Sequence, residues 1–381
     1  MKKTGIYIHI PFCRSKCVYC DFLSAPPTDK NQMIKYISAL AEEIEIRAKK
    51  TEAPLKTVDS VFFGGGTPTI LPARELIFLL DVLRKSFKLE ADAEITVECN
   101  PGTADAAKLK ALKQAGVNRL SFGVQSANDK ELKLLGRIHT FAEFSKSFKL
   151  AREAGFENIN VDIISAIPGQ TLKSFETTLQ KVTALKPEHL SCYSLILEEG
   201  TPLCEQIEEY PPLPDEDVER QMYDRAKQFL EENGYMQYEI SNYCLKSEKK
   251  DFRCRHNLGY WDRSVYFGFG TGAASFDGEV RYKNITDIED YIKLHDREDK
   301  EEREVLSPED ARQEFMYLGL RKTEGISAQD FEKCFDIPLE DVFGEVLKRH
   351  IEDGLLEKTD KGYRFTSRGV EVSNIVLADY L

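Results

Sequence analysis

Residues 5–20 read GIYIHIPFCRSKCVYC, a β-rich run that leads straight into three closely spaced cysteines. Cys13, Cys17 and Cys20 stand within eight residues, so a single loop can wrap their thiolates around one metal centre. Structural zinc sites usually take four protein ligands in two separated pairs, so zinc would need a remote fourth ligand here. A four-iron cluster on three thiolates leaves one iron open to an external ligand. Three cysteines with packing roles are the remaining alternative.

Strand-like and helix-like segments alternate over residues 5–197. Strands are predicted at residues 5–10, 58–63, 94–98, 119–124, 160–164 and 190–197. Helices are predicted between them at residues 32–49, 72–87, 104–114, 141–153 and 171–185. This alternation favours a parallel sheet, and six units favour an incomplete (β/α)6 TIM-like barrel over the full eight-stranded form. A doubly wound open sheet has the same pattern, and the fold class is α/β under either interpretation.

The chain after residue 235 departs from this repeat. Residues 253–275 are rich in glycine and aromatic residues and are predicted to be irregular, and the mixed charges of residues 287–304 indicate a solvated helix or linker. From Ser307 onward, three helix starts and a hairpin predict an α-helical, winged-helix-like domain. We therefore divide the chain into a core at 1–235, a linking segment at 236–305 and a C-terminal domain at 306–381.

Composition and charge exclude several classes of protein. The 381 residues carry 52 basic and 65 acidic side chains, a net charge of −13, and ten basic face sixteen acidic side chains from Ser307 onward. Such a chain is a poor ligand for nucleic acid, so we expect no nucleic-acid partner even for a winged-helix domain. No apolar run has the length of a signal-peptide core or a membrane span, which predicts a cytoplasmic protein with reduced thiols.

The C-x3-C-x2-C spacing of the cysteine loop resembles the signature of the radical S-adenosylmethionine (SAM) superfamily. The resemblance implies a [4Fe-4S] cluster on Cys13, Cys17 and Cys20, with SAM chelated to the free iron through its amino and carboxylate groups. It also implies an electron donor for the cluster, reductive cleavage of SAM to a 5′-deoxyadenosyl radical, and a contact between Tyr19 and the adenine.

A glycine-rich turn follows the second predicted strand, at Gly64, Gly65, Gly66 and Thr67. Glycines permit close backbone approach and expose N–H groups, although a turn of this kind by itself is a weak signal for phosphate binding. Its position after the cysteine loop resembles the superfamily motif that binds the amino group of SAM. The form of the motif is typical of the branch that contains oxygen-independent coproporphyrinogen oxidase.

Polar residues stand at the carboxyl ends of the later predicted strands, where the active sites of barrels lie. Glu98 ends the third predicted strand and Gln125 follows the fourth, Asp162 lies in the fifth, and Arg137 stands in the segment after the fourth. From the residues alone, pairing of these groups with one another is the simpler explanation. Resemblance to the oxidase branch implies that they hold SAM, with carboxylates on the ribose hydroxyls and the arginine on the methionyl carboxylate. Tyr7, through the same resemblance, and Ser194, on the sixth strand, are further candidates.

The segment from His256 to Trp261 contains the chain's one tryptophan, and it offers an imidazole ligand and flat aromatic faces to a porphyrin. Composition alone favours a packed aromatic loop with a hydrogen-bonded histidine. The HNxxYW pattern of His256, Asn257, Tyr260 and Trp261, however, resembles that of HemW-type heme chaperones. This resemblance implies heme held near His256, delivery to acceptor apo-haemoproteins, and peripheral association with a membrane for that delivery.

The second candidate function is oxygen-independent coproporphyrinogen III oxidase, in which a radical abstracts a propionate hydrogen and carbon dioxide leaves. Oxidases of that type carry a further cysteine just after the cluster loop and an N-terminal extension. Here Cys20 is followed by Asp21 and Phe22, and the chain begins six residues before Tyr7. We therefore expect a heme chaperone and assign no catalytic residue. The oxidase, and a metal-stabilised binding protein without redox chemistry, are the alternatives.

Overall fold

The computed structural model of the protein describes residues 4–295 and 302–381. Its strands are β1 (Thr4–Ile10), β2 (Thr57–Gly65), β3 (Lys88–Cys99), β4 (Arg119–Gln125), β5 (Ile159–Ser165), β6 (His189–Ser194), β7 (Tyr235–Gln237), β8 (Asn242–Leu245), β9 (Val265–Phe269), β10 (Ala274–Phe276), β11 (Val280–Lys283), β12 (Glu302–Val305), β13 (Ile326–Ser327), β14 (Leu356–Lys358) and β15 (Gly362–Phe365). Its helices are α1 (Lys30–Lys50), α2 (Ala73–Ser86), α3 (Ala106–Gln114), α4 (Asp129–Leu134), α5 (Phe141–Glu153), α6 (Leu172–Thr183), α7 (Pro202–Glu205), α8 (Glu216–Glu232), α9 (Arg255–Trp261), α10 (Ile288–Leu294), α11 (Pro308–Gly319), α12 (Ala328–Phe335), α13 (Leu339–Glu352), α14 (Ser367–Glu371) and α15 (Ser373–Ala378). The predicted alternation of strands and helices in the first part of the chain is confirmed.

Strands β1 to β6 lie side by side in chain order and are parallel to one another. A doubly wound sheet reverses its strand order partway, so this order excludes that fold and matches the winding of a barrel. β1 pairs on its other side with β9, and β6 pairs on its other side with the antiparallel β8, so the ring of strands is open. Over the described residues, the α/β fold is therefore an incomplete barrel of six parallel strands, as predicted.

Side chains alternate across the barrel strands, which puts apolar residues outside and polar residues inside. On β1, Ile6, Ile8 and Ile10 are fully buried in the core cluster that β1 shares with α1 and α2. On β5, Asn160 and Asp162 share the interior face and are joined by a hydrogen bond of 2.7 Å. The barrel therefore presents a polar interior to any ligand at its mouth.

The prediction of an irregular segment at residues 253–275 is wrong. This part of the chain contains α9, β9 and β10, and β9 continues the barrel sheet beside β1. The helix forms because the Glu94 carboxylate accepts its first two N–H groups, which have no partner within the helix itself. The strand forms because Val265, Phe267 and Phe269 alternate and are buried against the core.

The predicted boundary at residue 235 does not end the sheet. β7 and β8 extend it past β6, and β9 to β12 extend it past β1, so strands on both sides of the predicted boundary belong to one sheet. The charged run predicted at 287–304 contains α10 and β12, while residues 296–301 lie outside the described residues. In the C-terminal domain, α11, α12, α13 and the β14–β15 hairpin confirm the predicted pattern. Among the described helices, none combines the length and apolar composition that a membrane span requires.

Candidate cofactor-binding site

The cysteine loop lies at the carboxyl end of β1, at the mouth of the barrel. The Cys13 N–H donates to the Ala25 carbonyl over 3.0 Å, and the Cys20 N–H donates to the Cys17 carbonyl over 3.3 Å. Cys13 is buried, Cys17 and Cys20 are partly buried, and all three thiols are free of disulfides. Over residues 4–295 and 302–381, no three thiol, imidazole or carboxylate groups converge tightly enough to hold a single metal ion. The three cysteines border a cleft that opens at the mouth.

The glycine-rich turn after β2 fastens the cysteine loop from the neighbouring strand. The N–H of Gly66 donates to the Ile10 carbonyl over 2.8 Å, and the N–H of Thr67 donates to the Phe12 carbonyl over the same distance. A Cβ on Gly66 would stand 2.8 Å from the Phe12 oxygen, so this approach requires glycine. The Thr67 hydroxyl lies 3.4 Å from the Cys13 sulfur, which ties the turn to the first cysteine.

Gly64 and Gly65 bring the end of β2 close to the side chains of β1 and β3. A Cβ on Gly64 would lie 3.0 Å from the Tyr7 ring and 3.2 Å from a Glu98 carboxylate oxygen. Gly65 adopts a φ of +106°, where a side chain is disfavoured, and a Cβ there would lie 2.5 Å from the His9 ring. Tyr7 therefore stands directly behind the turn, with its hydroxyl 3.1 Å from His9 Nδ1.

Arg137, in the turn between α4 and α5, reaches the cysteine loop. Its guanidinium donates to the Cys17 sulfur over 3.5 Å, to Asn100 Oδ1 over 2.7 Å and to the carbonyl of Gly123. The Nε of Arg137 is buried and has no hydrogen-bond partner among the described residues. Arg137 thus has the position and the charge expected beside a metal-bound sulfur.

Glu98 and Asp162 place two carboxyl groups in the same cleft. Burial, with a smaller contribution from the charge of Asp162, raises the pKa of Glu98 to about 8. Burial also raises the pKa of Asp162, against the opposing hydrogen bonds from Asn160 and Ser191. Paired carboxyl groups can bind the two hydroxyls of a ribose, so this part of the cleft suits a nucleoside.

The remaining candidates for SAM binding do not all reach the cleft. Tyr19 and Gln125 line it, and Gln125 adopts a φ of +68° at the irregular end of β4. Ser194 is exposed and donates to the Glu219 carboxylate on α8, away from the residues described as lining the cleft. Sequence reasoning missed Asn100, which donates to the Thr67 hydroxyl over 2.6 Å and accepts from Arg137. Its position directly after β3 is the signal that could have identified it.

His256 does not have the exposed nitrogen that the predicted heme ligand requires. Its ring is 4% exposed, with Nδ1 3.2 Å from the Ser60 hydroxyl and Nε2 3.0 Å from the Tyr260 hydroxyl. The ring also stacks on Phe62, with ring centroids 5.2 Å apart. Burial, and then the charge of Arg119, lower the pKa of His256 to about 3. In this structure His256 is thus a buried, hydrogen-bonded part of the core, and its role as an axial heme ligand stays a prediction.

The other residues of the HNxxYW pattern belong to the same packed helix, α9. The Tyr260 hydroxyl is hydrogen-bonded to Nε2 of His256. The guanidinium of Arg321 lies over the Trp261 ring, 4.6 Å from the ring centroid. Asn257 is partly buried on the same helix. α9 contacts Gly5 and Ser60, near the amino ends of β1 and β2, whereas the cysteine loop follows the carboxyl end of β1. The structure thus places the two predicted sites at opposite ends of the barrel.

Two family models match separate parts of the chain. One described as the radical SAM superfamily matches residues 7–182, and one described as the HemN C-terminal domain matches residues 306–372. The first match includes the cysteine loop, the glycine-rich turn and both carboxylates of the cleft. The second begins just before α11 and covers α11 to α14 and the hairpin of the C-terminal domain.

Several curated proteins resemble the chain over nearly its whole length. The heme chaperone HemW of Bacillus subtilis is 39% identical over 385 residues, covering 98% of each chain. The heme chaperone HemW of Lactococcus lactis is 36% identical over 381 residues, covering 100% of this chain and 98% of that protein. Among solved structures, coproporphyrinogen III oxidase (HemN) from Escherichia coli matches with a TM-score of 0.85 and 25% identity, over 100% of this chain and 90% of that one.

Proposed function

Because the chain belongs to the heme chaperone HemW family, within the radical SAM superfamily, we propose that it binds a [4Fe-4S] cluster, SAM and heme and passes heme to apo-haemoproteins. The observation that carries this proposal is the meeting of three free cysteines, a glycine-rich turn and two carboxyl groups at one end of the barrel. An electron donor for the cluster and a peripheral membrane contact during delivery are parts of the same proposal. A cytoplasmic location agrees with nine cysteines that are free of disulfides.

The cysteine loop fits a [4Fe-4S] cluster by its donor set. Cys13, Cys17 and Cys20 supply three thiols, and Arg137 supplies a cation beside the second of them. Three thiolates leave one iron for an external ligand, which SAM would provide. When reduced, such a cluster supplies an electron to the sulfonium of SAM, the chemistry that unites the superfamily. The Nε of Arg137 is buried and has no hydrogen-bond acceptor among the described residues, so this N–H is available to a bound ligand.

The side chains around the cleft have distinct roles in holding SAM. The glycine-rich turn keeps the backbone of Gly65 and Gly66 close to the cysteine loop, where the methionyl amino group would bind. Arg137 would hold the methionyl carboxylate, since guanidinium groups bind carboxylates in a bidentate manner. Glu98 and Asp162 would accept the ribose hydroxyls, and Tyr19 would lie against the adenine. Gln125 completes the polar lining.

We place the heme at the mouth of the barrel, since His256 is enclosed at the opposite end. We call four exposed large apolar side chains at or after the carboxyl ends of β1, β4 and β6 the apolar rim: Phe22, Ile138, Tyr193 (within β6) and Ile196. The carboxyl ends of parallel barrel strands share one face of the molecule, and exposed apolar groups grouped on one face mark binding sites. Arg14 and Lys16, exposed on the cysteine loop, lie beside this rim and suit the propionates.

Heme titration of rim variants tests this placement. Ile196 is 66% exposed on the rim, and Ile375 is 71% exposed on α15, so Ile196→Ser and Ile375→Ser form a matched pair. Partial burial of an isoleucine contributes about 1.4 kcal/mol, so we expect heme affinity to fall roughly tenfold for Ile196→Ser. Ile375→Ser should bind heme as the parent does. Equal affinity of the two variants would remove the heme from the rim.

The oxidase is the second candidate, because the similarity to HemN extends over the whole chain at a TM-score of 0.85. Anaerobic incubation with coproporphyrinogen, SAM and a reductant distinguishes the two functions. A chaperone should yield no protoporphyrinogen, while binding of heme should persist under the same conditions. Several turnovers per protein molecule would instead establish the oxidase.

A further inference from the structure

Tyr238, which follows β7 directly, joins the start of α9 to the interior of the barrel. Its hydroxyl accepts the N–H of Cys254, the N-cap residue of α9, over 3.1 Å. The same hydroxyl lies 2.7 Å from Nε2 of His189, on β6. Because this oxygen accepts the Cys254 N–H, its own proton is available to donate to Nε2 of the histidine, and the acceptor that Nδ1 meets on β5 requires that direction. The imidazole proton must then lie on Nδ1.

His189 continues the chain of hydrogen bonds to Asn160 on β5. Its Nδ1 lies 2.6 Å from Oδ1 of Asn160, an atom that can only accept. The amide nitrogen of Asn160 therefore faces the other way, and it donates to Oδ1 of Asp162 over 2.7 Å and to the Ser121 hydroxyl over 2.8 Å. Each hydrogen bond between Cys254 and Asp162 therefore has a fixed donor and a fixed acceptor. The Cys254 N–H, which can only donate, and the Asp162 carboxylate, which accepts, set this order at the two ends.

Burial around His189 keeps its imidazole neutral, and this preserves the order of donors and acceptors in the chain of hydrogen bonds. His189 is fully buried, and burial followed by the charge of Arg119 lowers the pKa of His189 well below its ordinary value. The imidazole therefore stays neutral and retains the tautomer that the chain requires. Tyr238 is also held from the C-terminal domain, because its carbonyl accepts the N–H of Thr323 over 3.1 Å.

We infer that Tyr238, His189 and Asn160 are positioning residues that orient the Asp162 carboxylate for SAM, acting from the end of the barrel opposite the cysteine loop. The amide of Asn160 ties down Oδ1, while Oδ2 accepts only a long hydrogen bond of 3.5 Å from the Ser121 hydroxyl and keeps a lone pair for a ribose hydroxyl in the cleft. Cys254 is the N-cap residue of the HNxxYW helix, so the inference gives that motif a part in SAM binding without any contact to a ligand. It rests on the proposed role of Asp162.

The first test compares two buried tyrosines of the full-length, cluster-loaded protein. Tyr238→Phe removes the proton that fixes the His189 tautomer. Tyr235→Phe, the matched control on β7, removes a hydroxyl that donates to the Pro187 carbonyl over 2.6 Å, outside the chain. Anaerobic calorimetric titration of SAM should show roughly three- to tenfold weaker binding for Tyr238→Phe, and a change below about twofold for Tyr235→Phe. Equal affinities would overturn the inference.

The second test uses two amides at position 189 to separate positioning from packing. His189→Asn keeps an N–H donor at the place of Nδ1, next to Asn160, although the side chain is smaller. His189→Gln preserves the volume better but carries its amide toward Tyr238. Positioning predicts tighter SAM binding by the Asn variant, whereas a packing role predicts tighter binding by the Gln variant and a higher melting temperature. The second order of affinities would overturn the inference.

Asp162→Asn distinguishes failure of this inference from failure of the proposed site. Loss of SAM affinity in Asp162→Asn, together with unchanged affinity in Tyr238→Phe and His189→Gln, would refute positioning and leave the site in place. Unchanged SAM affinity in Asp162→Asn would remove Asp162 from the proposed site, and the positioning role with it. The expected result is a loss in all three variants, largest for Asp162→Asn.

Discussion

Arg137 donates a hydrogen bond to the sulfur of Cys17 over 3.5 Å, and this contact links the turn between α4 and α5 to the cysteine loop after the first strand. The same guanidinium holds Asn100, so a single cation reaches both the cysteine loop and the end of β3. The cysteine loop, the residue after β3 and, through the Gly123 carbonyl, strand β4 therefore all depend on the Arg137 side chain. The predictions below begin with that dependence.

Replacing Arg137 should weaken SAM binding more than it weakens the fold. Arg137→Lys keeps the charge but cannot donate to Cys17, Asn100 and Gly123 together, because an ammonium lacks the planar fork. We expect roughly tenfold weaker SAM binding, with melting temperature changed by only a few degrees. Calorimetric titration of SAM against the parent checks this. Arg220→Lys, on the exposed face of α8, serves as the control and should match the parent.

Gly66→Ala should prevent full loading of the cluster. The added Cβ would stand 2.8 Å from the Phe12 carbonyl oxygen and 3.0 Å from the Ile10 carbonyl oxygen, so the cysteine loop must shift away from β2. We expect a loss of about 1–3 kcal/mol in the free energy of unfolding and lower iron content after reconstitution. Gly344→Ala, in α13, meets only Glu340 at 3.9 Å and should leave iron content unchanged. Equal iron content in both variants would contradict the steric argument.

Glu98→Gln should make the stability of the cofactor-free protein less sensitive to pH. The folded protein holds the pKa of Glu98 at about 8, above its ordinary value of 4.5, so the native state binds a proton that the unfolded state releases. Stability from this group is therefore present below the unfolded pKa and is lost as pH rises toward 8. Urea unfolding at about pH 5.5 and 7.5 should show a smaller decline for Glu98→Gln, by up to about 2 kcal/mol. Glu45→Gln, exposed on α1, should decline as the parent does.

His256→Ala should destabilise the protein without loosening its hold on heme. The substitution leaves a cavity and deprives the Ser60 and Tyr260 hydroxyls of their partner, which costs about 2–4 kcal/mol in the free energy of unfolding. Heme affinity of the folded fraction should stay within about twofold of the parent if the rim is the site. Denaturant unfolding and heme titration of the same sample give both quantities. A tenfold loss of heme affinity with intact stability would restore His256 as a ligand.

Local patterns account for the parts of the fold that were predicted correctly. α5 begins at the capping box of Thr140 and Glu143, and α11 begins at that of Ser307 and Asp310, both within a few residues of chain. Strand β1 is marked by isoleucines at every second position, Ile6, Ile8 and Ile10, which is again a short-range signal. The prediction of an irregular segment at 253–275 was wrong because α9 starts on hydrogen bonds to the carboxylate of Glu94, a residue far away in the chain.

The sequence by itself determined the six strand–helix units and the cysteine loop, because periodicity, helix caps and ligand spacing are all expressed within a few consecutive residues. The tertiary structure alone decided which polar groups meet across strands, as when Asn100 comes between Thr67 and Arg137. It also decided the state of His256, whose Nδ1 faces a serine hydroxyl 196 positions away in the chain. Whether a nitrogen is free for a ligand depends on what packs against it, and packing between distant segments is set by strand register rather than by neighbouring residues.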